Sequence, residues 1–263
     1  MDRLHFKYNA LLENLREYSK LAVAFSGGVD STFLVYAAQH ALGVENVLVL
    51  YALSTLQSKR SVERVRKMRH IDFPAETFYK TLELFPLSWN EFICNSDERC
   101  YFCKKRMYSC FKVVMEETGH CFLADGTNMD DLKENRPGLL AIQQLKVVTP
   151  FVDIGINKTD IRLLAKNYSL SNHNLPSNSC LATRVQENMT ITEQKLRAIE
   201  AAEDFLNERG FQGCRVKLYN EITMIEVLTK DIELSVCDAN RIQLLHFFRN
   251  LELNPVVLSM DGR

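Results

Sequence analysis

Ala22-Val-Ala-Phe-Ser-Gly-Gly-Val-Asp-Ser-Thr32 decides the fold. The apolar run Leu21–Phe25 ends in Ser26-Gly27-Gly28, and helix-like spacing resumes over Ser31–Leu42. A buried strand that passes through two glycines straight into a helix is an anion cradle in outline. Glycine lets backbone approach an anion without a Cβ clash. The helix N-terminus adds unpaired N–H groups and the positive end of its dipole. Ser26, Ser31 and Thr32 contribute hydroxyl donors. Asp30 reads either as an orienter of loop N–H groups or as a Mg²⁺-linked group. Only ten glycines occur in the chain, so two side by side at this point carry weight.

Working outward, further apolar patterns predict a helix through Leu4–Leu15, a strand over Val47–Leu53 and a Lys/Arg-rich helix over Ser58–His70. A strand over Ala75–Thr81, a helix over Arg99–Glu117, short strands at Cys121–Ala124 and Val147–Thr149, and a helix over Lys158–Asn167 follow. Alternating strands and helices predict an α/β fold with a parallel sheet covered on both faces. After about residue 188 the pattern changes. A long amphipathic helix, Thr192–Arg209, stops at Gly210. Strands Cys214–Tyr219 and Ile222–Leu228 meet at Asn220-Glu221, before a helix near Asp231–Asn250 and a strand at Val256–Ser259. The expected organisation is residues 1–188 as an α/β domain carrying the glycine string and 189–263 as a smaller α+β domain. Ser169–Asn188 has little periodicity, and a long loop in a compact chain is often functional.

Composition narrows the function classes. The 263 residues are 46% hydrophobic and 25% charged, enough for a core and too apolar for general disorder. The 32 basic and 33 acidic residues leave a formal charge of −1, so no global field favours nucleic acid or an anionic membrane. The longest apolar run, Val47–Leu53, is far short of the ~20 residues of a membrane span. The chain reads as a soluble, cytoplasmic protein.

Eight cysteines, at 94, 100, 103, 110, 121, 180, 214 and 237, are expected as free thiols in a reducing compartment. Cys100 and Cys103 stand one helical turn apart, with Arg99, Lys104 and Lys105 favouring their thiolates. This C-x-x-C reads as a redox pair, half of a zinc site or part of an iron–sulfur site. Cys180 sits in the loop-like segment with Arg184 four residues on, either as a nucleophile or metal ligand or as an incidental thiol. The other five read as packing residues, Cys94 and Cys110 being nearest to the C-x-x-C.

The glycine string resembles the pyrophosphatase loop, Ser-Gly-Gly-x-Asp-Ser, of the adenine-nucleotide α-hydrolase (PP-loop) families, which split ATP into AMP and pyrophosphate. It lacks the Gly-Lys-Ser/Thr ending of a P-loop. With Arg99–Lys105, Gly126-Thr-Asn-Met-Asp-Asp131, Arg136-Pro-Gly138, Pro150-Phe151, Lys158-Thr-Asp-Ile-Arg162 and Ser179-Cys-Leu-Ala-Thr-Arg184, the set resembles the LarE-type sulfur transferases of nickel-pincer nucleotide synthesis over residues ~10 to ~230. The resemblance implies ATP bound at the loop and adenylation of a carboxylate of pyridinium-3,5-biscarboxylic acid mononucleotide. Sulfur then moves onto the activated carbon. One branch gives up a cysteine sulfur and becomes dehydroalanine. The other holds a 4Fe–4S cluster on three cysteines, matched here by Cys100, Cys103 and Cys180, with an extra sulfide on the fourth iron. Three thiolates leave one open coordination position, which suits repeated turnover. Cys180 is accordingly expected to meet the C-x-x-C helix over the ATP end of the sheet.

Remaining assignments follow the same resemblance. Gly126 shapes the nucleotide pocket at the C-terminal edge of the sheet. Asp130 and Asp131 read as Mg²⁺ holders or a solvated helix start, and Lys104 as an ATP-phosphate contact or an exposed lysine. Arg215-Val-Lys217 matches an Arg-x-Arg element that binds substrate phosphate, with Lys217 keeping charge but losing bidentate geometry. Arg184 is a further anion-binding residue. Glu203 and Glu226 align with acidic positions that bind divalent metal at subunit contacts, or are surface carboxylates. The family forms homo-oligomers, so the resemblance implies one here. His173-Asn-Leu-Pro176 and Val185-Gln-Glu-Asn188 depart from the family pattern on either side of Cys180. The cations of Ser58–His70 read as a solvated face in preference to a tRNA contact.

Overall fold

The computed structural model describes residues 3–133, 137–176 and 179–263. Arg136 of a motif quoted above, and Ser177 and Asn178 of the segment Ser169–Asn188, lie outside the described residues. The chain divides into two compact units, Met1–Ser54, Lys59–Leu84 and Cys100–Asn178 in the first, and Thr55–Ser58, Phe85–Arg99 and Ser179–Arg263 in the second. The elements run α1 (Arg3–Arg16), β1 (Leu21–Phe25), α2 (Val29–Leu42), β2 (Val47–Leu53), α3 (Lys59–Ile71), β3 (Phe78–Glu83), α4 (Asn90–Ile93), α5 (Arg99–Glu117) and β4 (Phe122–Ala124). They continue as α6 (Pro137–Gln144), α7 (Pro150–Asp153), α8 (Lys158–Asn167), α9 (Glu193–Glu208), β5 (Arg215–Leu218), β6 (Thr223–Glu226), α10 (Ile232–Val236), α11 (Asp238–Asn250) and β7 (Val256–Leu258).

The first unit has the expected α/β fold, with a four-stranded sheet in the order β3-β2-β1-β4. All its pairings are parallel, with Leu21 opposite Val47 and Phe122, and Leu48 opposite Phe78. Strand alternation divides the core. Leu21, Val23 and Phe25 with Val47, Val49 and Tyr51 face a cluster that holds Leu11, Leu15, Phe33, Phe151 and Ile161. Ala22, Ala24, Leu48 and Leu50 face the other way, onto Tyr108, Phe111, Met115 and Ile142. Sheet residues buried on both sides explain the unbroken apolar runs of β1 and β2. The strand expected at Val147–Thr149 is a single parallel bridge, Ala124 to Val148. The strand expected from Ala75 starts at Phe78, because Thr77 N–H closes a turn onto Pro74 O at 3.1 Å.

The second unit has a three-stranded sheet, β5-β6-β7, with β5 and β6 antiparallel and β6 and β7 parallel. Thr192 caps α9 by accepting from Lys195 N, and Leu196, Ile199, Ala202 and Leu206 are its buried stripe. Phe205 stacks on Phe247 of α11 with ring centroids 3.7 Å apart. The helix expected over Asp231–Asn250 is broken at Cys237, whose backbone is extended at φ −59° and ψ 145°. Asn240 Nδ2 and Cys237 Sγ both bond Leu234 O there, and Asp238 opens a new helix. Among the described residues, no helix is long and apolar enough to cross a membrane.

Candidate functional site

The strand order of the first unit reverses between β1 and β4, because β2 and β3 lie to one side of β1 and β4 to the other. Open parallel sheets bind ligands in the crevice at the carboxyl ends of such strands. The loop after β1 is the glycine string, and the residues after β4 are Asp125 and Gly126. Gly27 takes a left-handed φ of +79°, and a Cβ there would run into Val65 Cγ2 of α3. Gly28 then caps α2 in extended conformation. Gly126 presses on the first turn of α2, since a Cβ on it would be 3.0 Å from Ser31 N and 3.1 Å from Asp30 C. The three loop hydroxyls shape the loop itself. Ser31 Oγ and Thr32 Oγ1 donate to Gly28 O at 3.0 and 2.9 Å, and Ser26 Oγ accepts from Gly28 N at 3.3 Å. The N–H groups of the first turn of α2, which by helix geometry have no intrahelical partner, line the cradle.

Asp30 is in that turn. Its Oδ2 accepts from Lys158 Nζ at the start of α8, while its Oδ1 is buried with no hydrogen-bond partner. Burial pushes the Asp30 carboxyl above its ordinary value, against the pull of Lys158. A buried carboxylate oxygen left unbonded fits a hard cation such as Mg²⁺, which takes oxygen ligands. Asp30→Asn is therefore expected to raise the melting temperature at pH 7 in the absence of nucleotide. The raised carboxyl destabilises the fold only when charged, so this advantage closes as pH falls through the raised value towards ~4. Thermal melts with and without Mg²⁺–ATP check both halves. Ligand stabilisation is expected in the wild type and absent in the variant.

Sequence reading missed three residues beside the loop. Asp125 is buried and accepts from Thr127 N at 2.7 Å and from the hydroxyls of Thr127 and Tyr108. Lys104 Nζ lies 3.2 Å from Asp125 Oδ2, so this lysine is a half-buried ion-pair member rather than a solvated one. Lys158 belongs to a motif already quoted, but its partner Asp30 lies 128 positions away in the chain. Asn172, 1% exposed, donates to Thr32 Oγ1 at 2.8 Å and to Gly27 O at 3.3 Å, and its Oδ1 is buried with no hydrogen-bond partner. The rest of the Lys158–Arg162 motif is structural. Asp160 completes a capping box with Asn157, and Arg162 holds His173 O and Leu175 O at 2.7 and 2.9 Å. Asp130 and Asp131 are engaged in local turns. Asp130 accepts from Lys158 N and Lys133 Nζ, and Asp131 from Asn128 N.

Cys100 is exposed and Cys103 half-buried on α5 in the first unit, and Cys180 is half-buried in the second. Thiols are the donor chemistry that an iron–sulfur cluster takes, and each unit by itself supplies fewer than three of these ligands. Among the described residues, no group of three or more His, Cys, Asp or Glu side chains is gathered as a metal site. Of the five cysteines expected to be packing residues, only Cys214 is buried. Cys94, Cys121 and Cys237, which lie just outside helices and strands, are exposed, and Cys110 on α5 is half-buried.

In the second unit Lys217 Nζ pairs with Glu226 Oε1 at 2.6 Å, and Arg184 with Glu203 Oε1 at 3.0 Å. Both glutamates are thus engaged by cations of their own unit. Arg215 keeps a buried Nε with no hydrogen-bond partner, and burial, then the charges of Arg263 and Arg184, lower its pKa. On α3, Lys59, Arg60, Arg66, Lys67 and Arg69 are exposed, Lys67 pairs with Glu63 at 3.7 Å, and Arg69 lies 4.5 Å over the Tyr79 ring.

No family model matches the chain. An uncharacterized protein of Synechocystis is 28% identical over 255 residues, covering 95% of this chain and 94% of that protein. An uncharacterized protein of Methanocaldococcus jannaschii is 28% identical over 254 residues, covering 95% and 94%. The pyridinium-3,5-bisthiocarboxylic acid mononucleotide synthase of Lactiplantibacillus plantarum is 29% identical over 227 residues, covering 86% of this chain and 81% of the synthase.

Proposed function

We propose that the chain is an ATP-dependent sulfur-inserting synthase acting on a carboxylate of pyridinium-3,5-biscarboxylic acid mononucleotide. The carrying observation is the cradle after β1, where a left-handed Gly27, the N-terminus of α2 and a buried, unbonded Asp30 oxygen beside Lys158 sit at the reversal of strand order. The similarity to the Lactiplantibacillus synthase supports the acceptor. In this reading a carboxylate oxygen of the acceptor attacks the α-phosphorus of ATP, the bond to the bridging oxygen breaks, and pyrophosphate leaves. A sulfur nucleophile then attacks the activated carbonyl carbon and AMP departs.

The chain's own contribution is to bind and orient. The amides of Gly27, Gly28 and the first turn of α2 would take phosphate oxygens, with Ser26, Ser31 and Thr32 holding the loop to shape. Asp30 would hold Mg²⁺, and Lys158 and Lys104 would offset phosphate charge. Arg215, with its unbonded Nε, is the best-placed of the three basic residues for the acceptor's phosphate. Cys100, Cys103 and Cys180 would hold a 4Fe–4S cluster, which supplies sulfide for transfer when bound.

Release of AMP and pyrophosphate tests this reading. It is expected with the pyridinium mononucleotide and not with tRNA. The reverse result would make the cations of α3 an RNA surface and the chain a tRNA-thiolating enzyme. Iron and acid-labile sulfide, measured after anaerobic reconstitution of wild type and of Cys100→Ser, Cys103→Ser and Cys180→Ser, test the donor. Less than about one iron per chain with full activity would remove the cluster. Cys180 would then be the sulfur source, and the intact mass after turnover would fall by that of H₂S.

A further inference from the structure

Arg184 carried a substrate-binding assignment on sequence grounds, and its surroundings give it different work. It closes the short turn Leu181–Arg184 directly after Cys180 and is 3% exposed. A guanidinium has five N–H donors. Nη1 of Arg184 faces Ser179 O at 2.9 Å, Ser179 Oγ at 2.6 Å, Thr183 Oγ1 at 3.0 Å and Cys180 O at 3.2 Å. Nε donates to Glu203 Oε1 at 3.0 Å and Nη2 to Glu203 Oε2 at 3.5 Å. Little donor capacity is left for a phosphate. Glu203, on α9, also accepts from Val216 N of β5 at 3.1 Å. The carboxylate therefore ties the arginine to a helix and a strand at once.

Other bonds of the second unit pin the same turn. Thr183 N and Oγ1 both donate to Cys180 O, at 3.0 and 2.8 Å, and Leu181 N donates to Leu56 O at 2.8 Å. Arg99 Nη1 donates to Ala182 O at 3.1 Å. The backbone on either side of Cys180 is thus held, Val185 pairs with Leu218 of β5 just beyond the turn, and the Arg184–Glu203 ion pair adds a side-chain link from that backbone to α9 and β5. We propose that this pair is a positioning device for the Cys180 thiol. Arg184 acts through the backbone at Ser179 and Cys180, and it does not hold the acceptor's phosphate.

The inference rests on the proposed role of Cys180 in sulfur transfer, and two separate readouts keep the claims apart. The first is the alkylation rate of Cys180 by iodoacetamide in metal-free buffer, followed on the Cys180 peptide, with Cys180→Ser as the labelling control. Glu203→Gln keeps the side-chain shape and is the main variant; Arg184→Lys keeps charge but loses the fork. Both are expected to alkylate at least about threefold faster than wild type, because the turn is no longer held. The second readout is steady-state kinetics of AMP release and of thiocarboxylate formation. Glu203→Gln is expected to keep KM for the pyridinium mononucleotide within about twofold and to lose about tenfold or more in thiocarboxylate formation. A KM raised tenfold with kcat unchanged would return Arg184 to substrate binding. Unchanged alkylation would also overturn the positioning role. If wild type releases no AMP, the functional reading fails, while the alkylation comparison still decides the role of the ion pair.

Discussion

Gly27→Ala is expected to lower pyrophosphate release by about 100-fold or more and to destabilise the fold by about 2–4 kcal/mol. Two separate strains add. The backbone at Gly27 has φ +79°, where a Cβ is disfavoured. The new methyl would also sit inside contact distance of Val65 Cγ2, against a residue buried in the core. Relief requires Val65 to turn within the packed core, or α3 or the loop to move, and movement of the loop displaces the amides that would meet phosphate. Val65→Ala separates the two terms. The double variant is expected to be more stable than the sum of the single changes by about 1–3 kcal/mol, because the clash is gone and the φ strain remains. Urea unfolding of the four proteins measures this coupling. Simple additivity would show that Val65 does not set the loop's tolerance.

Asp125→Ala is expected to cost about 2–4 kcal/mol of stability, since it leaves the buried Tyr108 hydroxyl and the Lys104 ammonium without their acceptor. Burial alone would raise the Asp125 carboxyl. The Lys104 charge and the donors of Thr127 and Tyr108 outweigh it and hold the group below its ordinary value. The sign follows. A carboxyl depressed in the folded state contributes stability that is fully present above ~4 and is lost as pH falls through the lower folded value. The gap between wild type and Asp125→Ala should therefore stay level from neutral pH down to ~4 and shrink below it. Denaturant melts across that range check it, and a gap that widens in acid would reverse the assignment. Activity should fall about 100-fold as well, because Thr127 N and Oγ1 lose the oxygen that folds Gly126 against α2.

What could be read in the chain was local. Leu21–Thr32 states its strand, turn and helix through nearest neighbours, so β1, the loop and α2 appear where expected. The buried, two-sided strands followed for the same reason. The residues that complete the cradle are set by partners far along the chain. Asn172 bonds Thr32 across 140 positions, and Asp125 reads in sequence as an ordinary polar residue after a strand until Tyr108 and Lys104 are folded over it. Asp125 did carry one signal, its place between a short apolar run and Gly126. The break at Cys237 was hidden because helix-compatible residues continue on both sides of it. Cysteine burial was not legible, since Cys94, Cys121 and Cys237 fall just beyond the ends of helices and strands, where the chain turns to the surface.

The interleaving of the two units also sets an order of assembly during synthesis. All four strands of the parallel sheet have left the ribosome once Ala124 emerges, so that sheet can close early from contacts between neighbouring segments. The second unit cannot do the same. Its earliest pieces, Thr55–Ser58 and Phe85–Arg99, are made long before the strands and helices after Ser179 that share their unit. They must wait as tethers, and Asn95 among them lacks its acceptors, the carbonyls of Val185, Gln186 and Met189, until the later chain arrives. A fragment cut before Ser179 would keep those two tethers for good, and would be more prone to aggregation than the whole chain.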